Sequence, residues 1–158
     1  MKAPAFSLKG VDGRTHTLES LKGSKATIIV FSCNHCPYVV KAEDALIAVY
    51  KEYAPQGVGM AAINANDSEG YPEDSFENMV VRAAEKKFPF AYLRDENQAV
   101  AKAYGATHTP QLFVFDAKLD LAYAGAVANL RDALDDLVAG KAVRVPKTHA
   151  IGCTIKWK

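Results

Sequence analysis

The sequence predicts an α/β fold, a central mixed β-sheet with helices on both faces. Three observations carry this. The run Ala26–Ser32 is continuously apolar and β-branched, as a central strand covered on both sides should be. Strand-like and helix-like periods then alternate along the chain, the pattern of parallel strands joined by helices. Finally, Gln111–Asp116 and Leu121–Gly125 read as two strands joined by a short turn, an antiparallel hairpin. A chain of 158 residues suits one domain, residues 1–158, with length enough for a two-layer core. No internal repeat, low-complexity tract or long linker divides it.

Taken in order, the chain opens with a small N-terminal hairpin around Phe6 and Thr15. The strand Ala26–Ser32 follows, and Pro37 then opens a helix with Val39, Ala42, Leu46, Val49, Tyr50 and Tyr53 along one face. Proline in a first helical turn gives up no hydrogen bond. Gly57–Asn64 reads as a second buried strand, and Ala65–Ser75 as a polar loop. A helix over about Phe76–Lys87 has Asp74 or Ser75 as its cap. A short helix over Gln98–Tyr104 closes at Gly105. After the hairpin, Asn129 caps a last helix that stops at Gly140.

Composition narrows the function classes. A formal charge of +1 gives no reason to expect a nucleic-acid or anionic-membrane partner. No apolar run approaches the roughly 20 residues a membrane helix needs. Met1–Phe6 lacks the apolar stretch of a signal peptide. Three cysteines are an odd number and too few for a disulfide scaffold. The expectation is a cytoplasmic protein, where a close cysteine pair points to redox catalysis or metal binding.

That pair is Cys33 and Cys36, placed where a strand ends and a helix begins. Free amides and the partial positive charge of a helix N-terminus stabilise a thiolate. The two-residue spacer lets one sulfur resolve a mixed disulfide formed at the other. Cys33 is assigned as the attacking thiol by its expected exposure, and Cys36, one turn into the helix, as the resolving thiol. His35 between them, as imidazolium, would favour the Cys33 thiolate further. A fall in the Cys33 pKa of about two units would make the couple more oxidising by on the order of 60 mV. The expectation is therefore a couple more oxidising than that of a standard thioredoxin.

Other residues are candidates for supporting roles. Thr109-Pro110 precedes a strand, and a cis-proline there would bring backbone beside the sulfurs; the surrounding pattern favours that isomer, although only about 5% of X-Pro bonds are cis in folded proteins. His108 would then lie near Cys33 as base or electrostatic partner, or be a loop histidine. Glu43 lies toward the apolar face of its helix, as proton acceptor for Cys36 or as an edge residue. Cys153 reads as a packed small residue rather than a third redox centre. Two alternatives stay open at the pair itself: inert buried thiols, or a zinc or copper site using Cys33, His35 and Cys36 with His108 or His149. A cysteine pair alone supplies two ligands, and no second pair has finger-like spacing, so no metal and no bound cofactor are expected.

Three stretches resemble a known family. Phe31-Ser32-Cys33-Asn34-His35-Cys36-Pro37-Tyr38-Val39 is similar to the active-site signature of a bacterial peroxiredoxin-like branch of the thioredoxin superfamily, also labelled redoxin or alkyl-hydroperoxide-reductase-related. Ala62–Asp67 leading into Tyr71–Ser75, and the segment Ile151-Gly152-Cys153-Thr154-Ile155-Lys156-Trp157-Lys158, resemble the same branch. The resemblance implies a thioredoxin-like fold, Cys33 and Cys36 as redox centre and Pro110 as cis-proline. It also implies an antioxidant or redox-homeostasis role. The chain departs from true peroxiredoxins in lacking their Pro-x-x-x-Thr-x-x-Cys segment: Val30 and Ala26 stand at those positions before Cys33, and Cys33 and Ile29 before Cys36. Where thioredoxins have a buried Asp six positions before the first cysteine, Thr27 stands here.

The sequence thus reads as a thiol–disulfide oxidoreductase acting on a protein or small-molecule disulfide. A thioredoxin- or glutathione-type reductant would recycle it, as monomer or homodimer. The alternatives are a thiol peroxidase, with Cys33 oxidised to sulfenic acid and resolved by Cys36, and a metal-binding protein of the same fold.

Overall fold

In the computed structural model, which describes residues 1–158, the centre of the molecule is β3 (Ala26–Ser32), whose seven residues are all buried. The elements before it are β1 (Ser7–Gly10), β2 (Thr15–Thr17) and a one-turn helix α1 (Leu18–Leu21). After it come α2 (Pro37–Tyr53), β4 (Val58–Asn64), α3 (Phe76–Lys86), β5 (Ala91–Arg94) and α4 (Ala99–Tyr104). The chain continues with β6 (His108–Thr109), β7 (Gln111–Asp116), β8 (Leu121–Gly125), α5 (Leu130–Val138) and β9 (Cys153–Thr154). The main sheet runs β2-β1-β5-β4-β3-β7-β8, and β6 and β9 form a separate two-stranded ribbon.

The sheet is mixed, as the sequence predicts. β3 pairs parallel with β4 and antiparallel with β7, and β4 pairs parallel with β5. Its two faces carry separate cores. Ile28, Val30, Met60, Ala62 and Val114 pack with Leu46, Val49 and Tyr53 of α2 and with Leu130 and Leu134 of α5. Ile29, Phe31, Ile63, Leu93 and Phe113 pack on the other side with Ala101 and Tyr104 of α4 and with Ile155. Alternate residues of each strand therefore feed opposite cores, which is why β3 has no polar face.

Two close approaches fix the frame. Gly59 in β4 lies so near the loop after α1 that a Cβ there would stand 2.0 Å from the Leu21 carbonyl oxygen. Thr27, at the position where thioredoxins have a buried Asp, is fully buried, and its Oγ1 accepts the Gly23 N–H at 2.9 Å. It fastens the loop after α1 to the start of β3. Ser75 caps α3 by accepting the Asn78 N–H at 3.2 Å, whereas Asn129 stands at the cap of α5 without a side-chain cap bond.

The sequence reading passed over α1, β5, β6 and β9. Each has four residues or fewer, too short to establish a period.

Candidate active site

Cys33 and Cys36 sit in the turn between β3 and α2, with Cys36 as the N-cap of α2 and Pro37 in its first turn. The Cys36 N–H donates to the Cys33 Sγ at 3.3 Å. Across from them the Thr109-Pro110 bond is cis, and Thr109 touches both sulfurs. Its Oγ1 is 3.6 Å from the Cys33 Sγ, and its carbonyl oxygen accepts from the Cys36 Sγ at 3.5 Å. Thr109 and Pro110 thus stand beside the pair.

The exposure expected of Cys33 is not found: it is 2% exposed and Cys36 3%. Burial pushes the Cys33 thiol up to about 12; the hydrogen bond with Thr109 opposes this, and the nearby Asp74 carboxylate adds to it. At Cys36 burial also acts upward, but a hydrogen bond with Cys153 and backbone N–H groups at the head of α2 outweigh it. The net effect holds this thiol below its ordinary range. Of the two, Cys36 is the more readily ionised thiol, the opposite of the order that an exposed Cys33 was expected to give. A more oxidising couple, argued from a depressed Cys33 pKa, loses that basis.

A His35 ring nitrogen lies within 4.8 Å of the Cys33 sulfur. The His35 ring points to carboxylates, Nδ1 lying 3.1 Å from Asp74 and Nε2 3.6 Å from Glu73. His108 sits in β6, with Nδ1 2.8 Å from Thr107 Oγ1, and its hydrogen bonds do not include Cys33. Glu43 is buried and bound by the Arg82 guanidinium through Nε and a terminal nitrogen. That pair ties α2 to α3, so the carboxylate is a structural anchor rather than a proton acceptor for Cys36.

The residue that organises the turn is Asp74, fully buried and outside the sequence-predicted set. Its Oδ1 accepts from the Asn34 backbone N–H at 2.8 Å and Asn64 Nδ2 at 3.1 Å, and its Oδ2 from Asn66 Nδ2 at 3.0 Å. Asn34 adds its own links, donating from Nδ2 to the Glu73 carbonyl and accepting from the Tyr92 hydroxyl at 2.7 Å. The spacer between the cysteines is thereby held from three segments. The sequence signal was present in the Ala62–Asp67 and Tyr71–Ser75 stretches, where the network residues cluster. A lone acid ahead of a helix, however, reads as a cap.

Of the histidines in the metal alternative, His108 holds Thr107 Oγ1 through Nδ1, His149 is exposed, and neither is grouped with the cysteine pair. Instead the Cys33, His35 and Asp74 ligand atoms lie within 4.8 Å of one another. Asp74 already accepts three amide hydrogens, the mark of a carboxylate used to hold backbone and side chains.

Residues 1–124 match the AhpC/TSA family. The chain belongs to the AhpC/TSA family. Among its curated relatives, a chloroplastic peroxiredoxin Q of Triticum aestivum is 28% identical over 104 residues, 65% of this chain and 43% of that protein. The chain thus spans less than half the length of that relative. Among solved structures, a conserved protein of Geobacillus kaustophilus is 44% identical with a TM-score of 0.97, covering 100% of this chain and 91% of that one. The thioredoxin domain of a thiol–disulfide oxidoreductase from Bacteroides vulgatus is 16% identical with a TM-score of 0.74, covering 87% and 96%, and shows the fold alone. This AhpC/TSA protein therefore has the thioredoxin-like fold that its sequence resembles.

The buried, protonated Cys33 has a consequence for stability. A thiol whose folded pKa lies above its unfolded value stabilises the fold below the ordinary thiol pKa, and that contribution is lost as pH rises toward about 12. Reduced protein should therefore show a urea midpoint that falls above about pH 9. Cys33→Ser should show a smaller fall; equal slopes for the two proteins would contradict the assignment.

Proposed function

We propose that this AhpC/TSA-family chain is a thiol–disulfide oxidoreductase whose redox couple is Cys33–Cys36. The observation that carries the reading is the turn itself. Within a single hydrogen-bonded loop it makes one thiol easier to ionise and the other harder, beside the cis Thr109-Pro110 bond.

Exchange begins at the Cys36 thiolate, which attacks a substrate disulfide, forms a mixed disulfide and releases the first substrate thiolate. Cys33 then gives up its proton and attacks the Cys36 sulfur. The Cys33–Cys36 bond forms, and the second substrate thiolate leaves with that proton. The substrate gains two electrons and the protein loses them. An apolar groove lined by Tyr38, Pro110, Val127 and Ile151 opens beside Pro110, which supports a disulfide borne on a polypeptide. A thioredoxin- or glutathione-type dithiol or thiol would reset the couple. The cytoplasm is the compartment in which such a reductant acts.

A second reading has support in the family and in the likeness to peroxiredoxin Q. In it, the Cys36 thiolate is oxidised by a hydroperoxide to sulfenic acid, which Cys33 resolves to the same disulfide with loss of water. The missing Pro-x-x-x-Thr-x-x-Cys segment weighs against it.

The test is equilibration of Cys153→Ser protein in graded glutathione buffers, trapping of thiols, and mass measurement of the tryptic peptide 26–41 that holds both cysteines. A reversible two-electron transition within that peptide is expected. No such disulfide at any poise would overturn the reading. Rapid peroxide-dependent consumption of dithiol would move the assignment to the peroxidase.

A further inference from the structure

The segment after α5 returns to the redox site. β9 pairs antiparallel with β6, placing Cys153 opposite Thr109 and Thr154 opposite His108. In that register the Cys153 Sγ lies 2.6 Å from the Cys36 Sγ. A disulfide, with S–S of about 2.05 Å, needs only a small further approach.

This juxtaposition is built into the chain on both sides of Cys153. A Cβ at Gly152 would stand 2.1 Å from the Thr109 carbonyl oxygen and 3.1 Å from the Pro110 nitrogen, so only glycine lets the strand lie against that bond. Beyond Cys153, the Ile155 N–H donates to the Thr107 carbonyl at 2.9 Å, and the Ile155 side chain is buried in the core beneath α4. The Lys156 N–H donates to Asn66 Oδ1 at 2.9 Å, and its carbonyl accepts from Gln98 Nε2 and the Asp67 N–H. A residue that merely filled space would not require its neighbours to be fixed to the walls of the site. Access differs in the same direction: Cys33 and Cys36 are almost fully covered, while Cys153 is partly exposed.

We propose that Cys153 is a third redox cysteine, which exchanges with the Cys33–Cys36 disulfide to form a Cys36–Cys153 disulfide that an external dithiol reduces. The proposal rests on Cys33–Cys36 as the primary couple. In the exchange, Cys153 loses its proton to solvent and attacks the Cys36 sulfur. The Cys36–Cys153 bond forms as the Cys33–Cys36 bond breaks, and Cys33 leaves as thiolate and takes up a proton. No electrons enter or leave the protein. The dithiol then attacks the Cys153 sulfur, and its second thiol resolves the mixed disulfide. Cys36 and Cys153 are released as thiols and the reductant as its own disulfide. The exchange moves the disulfide to the more exposed Cys153 sulfur, where the reductant's thiol attacks.

Trypsin leaves Cys33 and Cys36 in peptide 26–41 and Cys153 in peptide 148–156, so the two disulfides are distinct by mass. The full chain, its Cys33→Ser, Cys153→Ser and Gly152→Val variants are oxidised with diamide, quenched with N-ethylmaleimide and digested without reduction. The expected result is a 26–41/148–156 cross-link in the full chain and in Cys33→Ser, strongly reduced in Gly152→Val although all three thiols remain. Oxidised Cys153→Ser should be reduced by dithiothreitol at least about tenfold more slowly than the full chain. Absence of the cross-link from Cys33→Ser, or reduction of Cys153→Ser at the full chain's rate, would overturn the proposal. A Cys153→Ser protein with no disulfide within peptide 26–41 would instead overturn the primary couple, leaving the Cys36–Cys153 link to stand or fall on Cys33→Ser.

Discussion

Cys36→Ser is expected to slow attack on a reactive disulfide by at least about 50-fold and to leave the chain without a turnover-competent couple. The size follows from what remains. With its pKa pushed up to about 12, Cys33 is thiolate in about one molecule in 10⁵ at pH 7, against about one in 10² for a thiol near 9. Its greater basicity returns about 20-fold in intrinsic nucleophilicity for a Brønsted slope near 0.45, so the net deficit is about 50-fold. Cys36, held below the ordinary range, reacts faster than that reference, which makes the figure a lower bound. The loss should be chemical rather than structural. Cys36 is the N-cap of α2 and makes no side-chain cap bond, and serine is among the preferred residues there, so the urea midpoint should hold or rise. Stopped-flow reaction with an aromatic disulfide measures the first step directly. If Cys33→Ser abolished that step and Cys36→Ser spared it, the attacking sulfur would be Cys33 and the assignment from burial and hydrogen bonding would be wrong.

That reversal shows where the sequence ran out. The strand Ala26–Ser32, the helix opened by Pro37 and the 111–125 hairpin were legible because each has a sustained apolar period of its own. They place the cysteine pair at a strand-to-helix turn with no further information. Which cysteine ionises more readily was not legible, because it depends on burial and on contacts from far along the chain. Burial and, after it, the Asp74 carboxylate raise Cys33, while against burial a hydrogen bond with Cys153, 117 residues away, lowers Cys36. β9 escaped for the same reason, since its two residues are a strand only against His108 and Thr109. Glu43 was found on the right face of α2, but its partner Arg82 lies on another helix. Local pattern therefore placed the cysteine pair at its turn, while the relative acidity of the two thiols follows from non-local packing.

Asp74→Ala should be the most damaging single change in the stability of the site. Its carboxylate takes hydrogen bonds from the Asn34 backbone N–H and from the side-chain amides of Asn64 and Asn66, with His35 Nδ1 beside it. Asn64 and Asn66 are 0% and 2% exposed, so water cannot replace the lost acceptor. No buried side-chain polar atom in the fold lacks a partner, and this substitution would orphan several donors at once. Each unsatisfied buried group costs about 1–3 kcal/mol. A loss of about 3–5 kcal/mol, or a urea midpoint lowered by roughly 2 M, is the expected result. Asp74→Asn separates structure from charge. It keeps one oxygen for the Asn34 N–H and should cost less stability, while removing the negative charge that helps hold Cys33 protonated. Alkylation of Cys33 in reduced protein should then begin at lower pH in Asp74→Asn than in the full chain, although burial, the larger cause, persists. An unchanged alkylation profile would mean that Asp74 only fastens the turn. A lowered one would show that the carboxylate holding the cysteine spacer in place also keeps the second sulfur in reserve until the first has reacted.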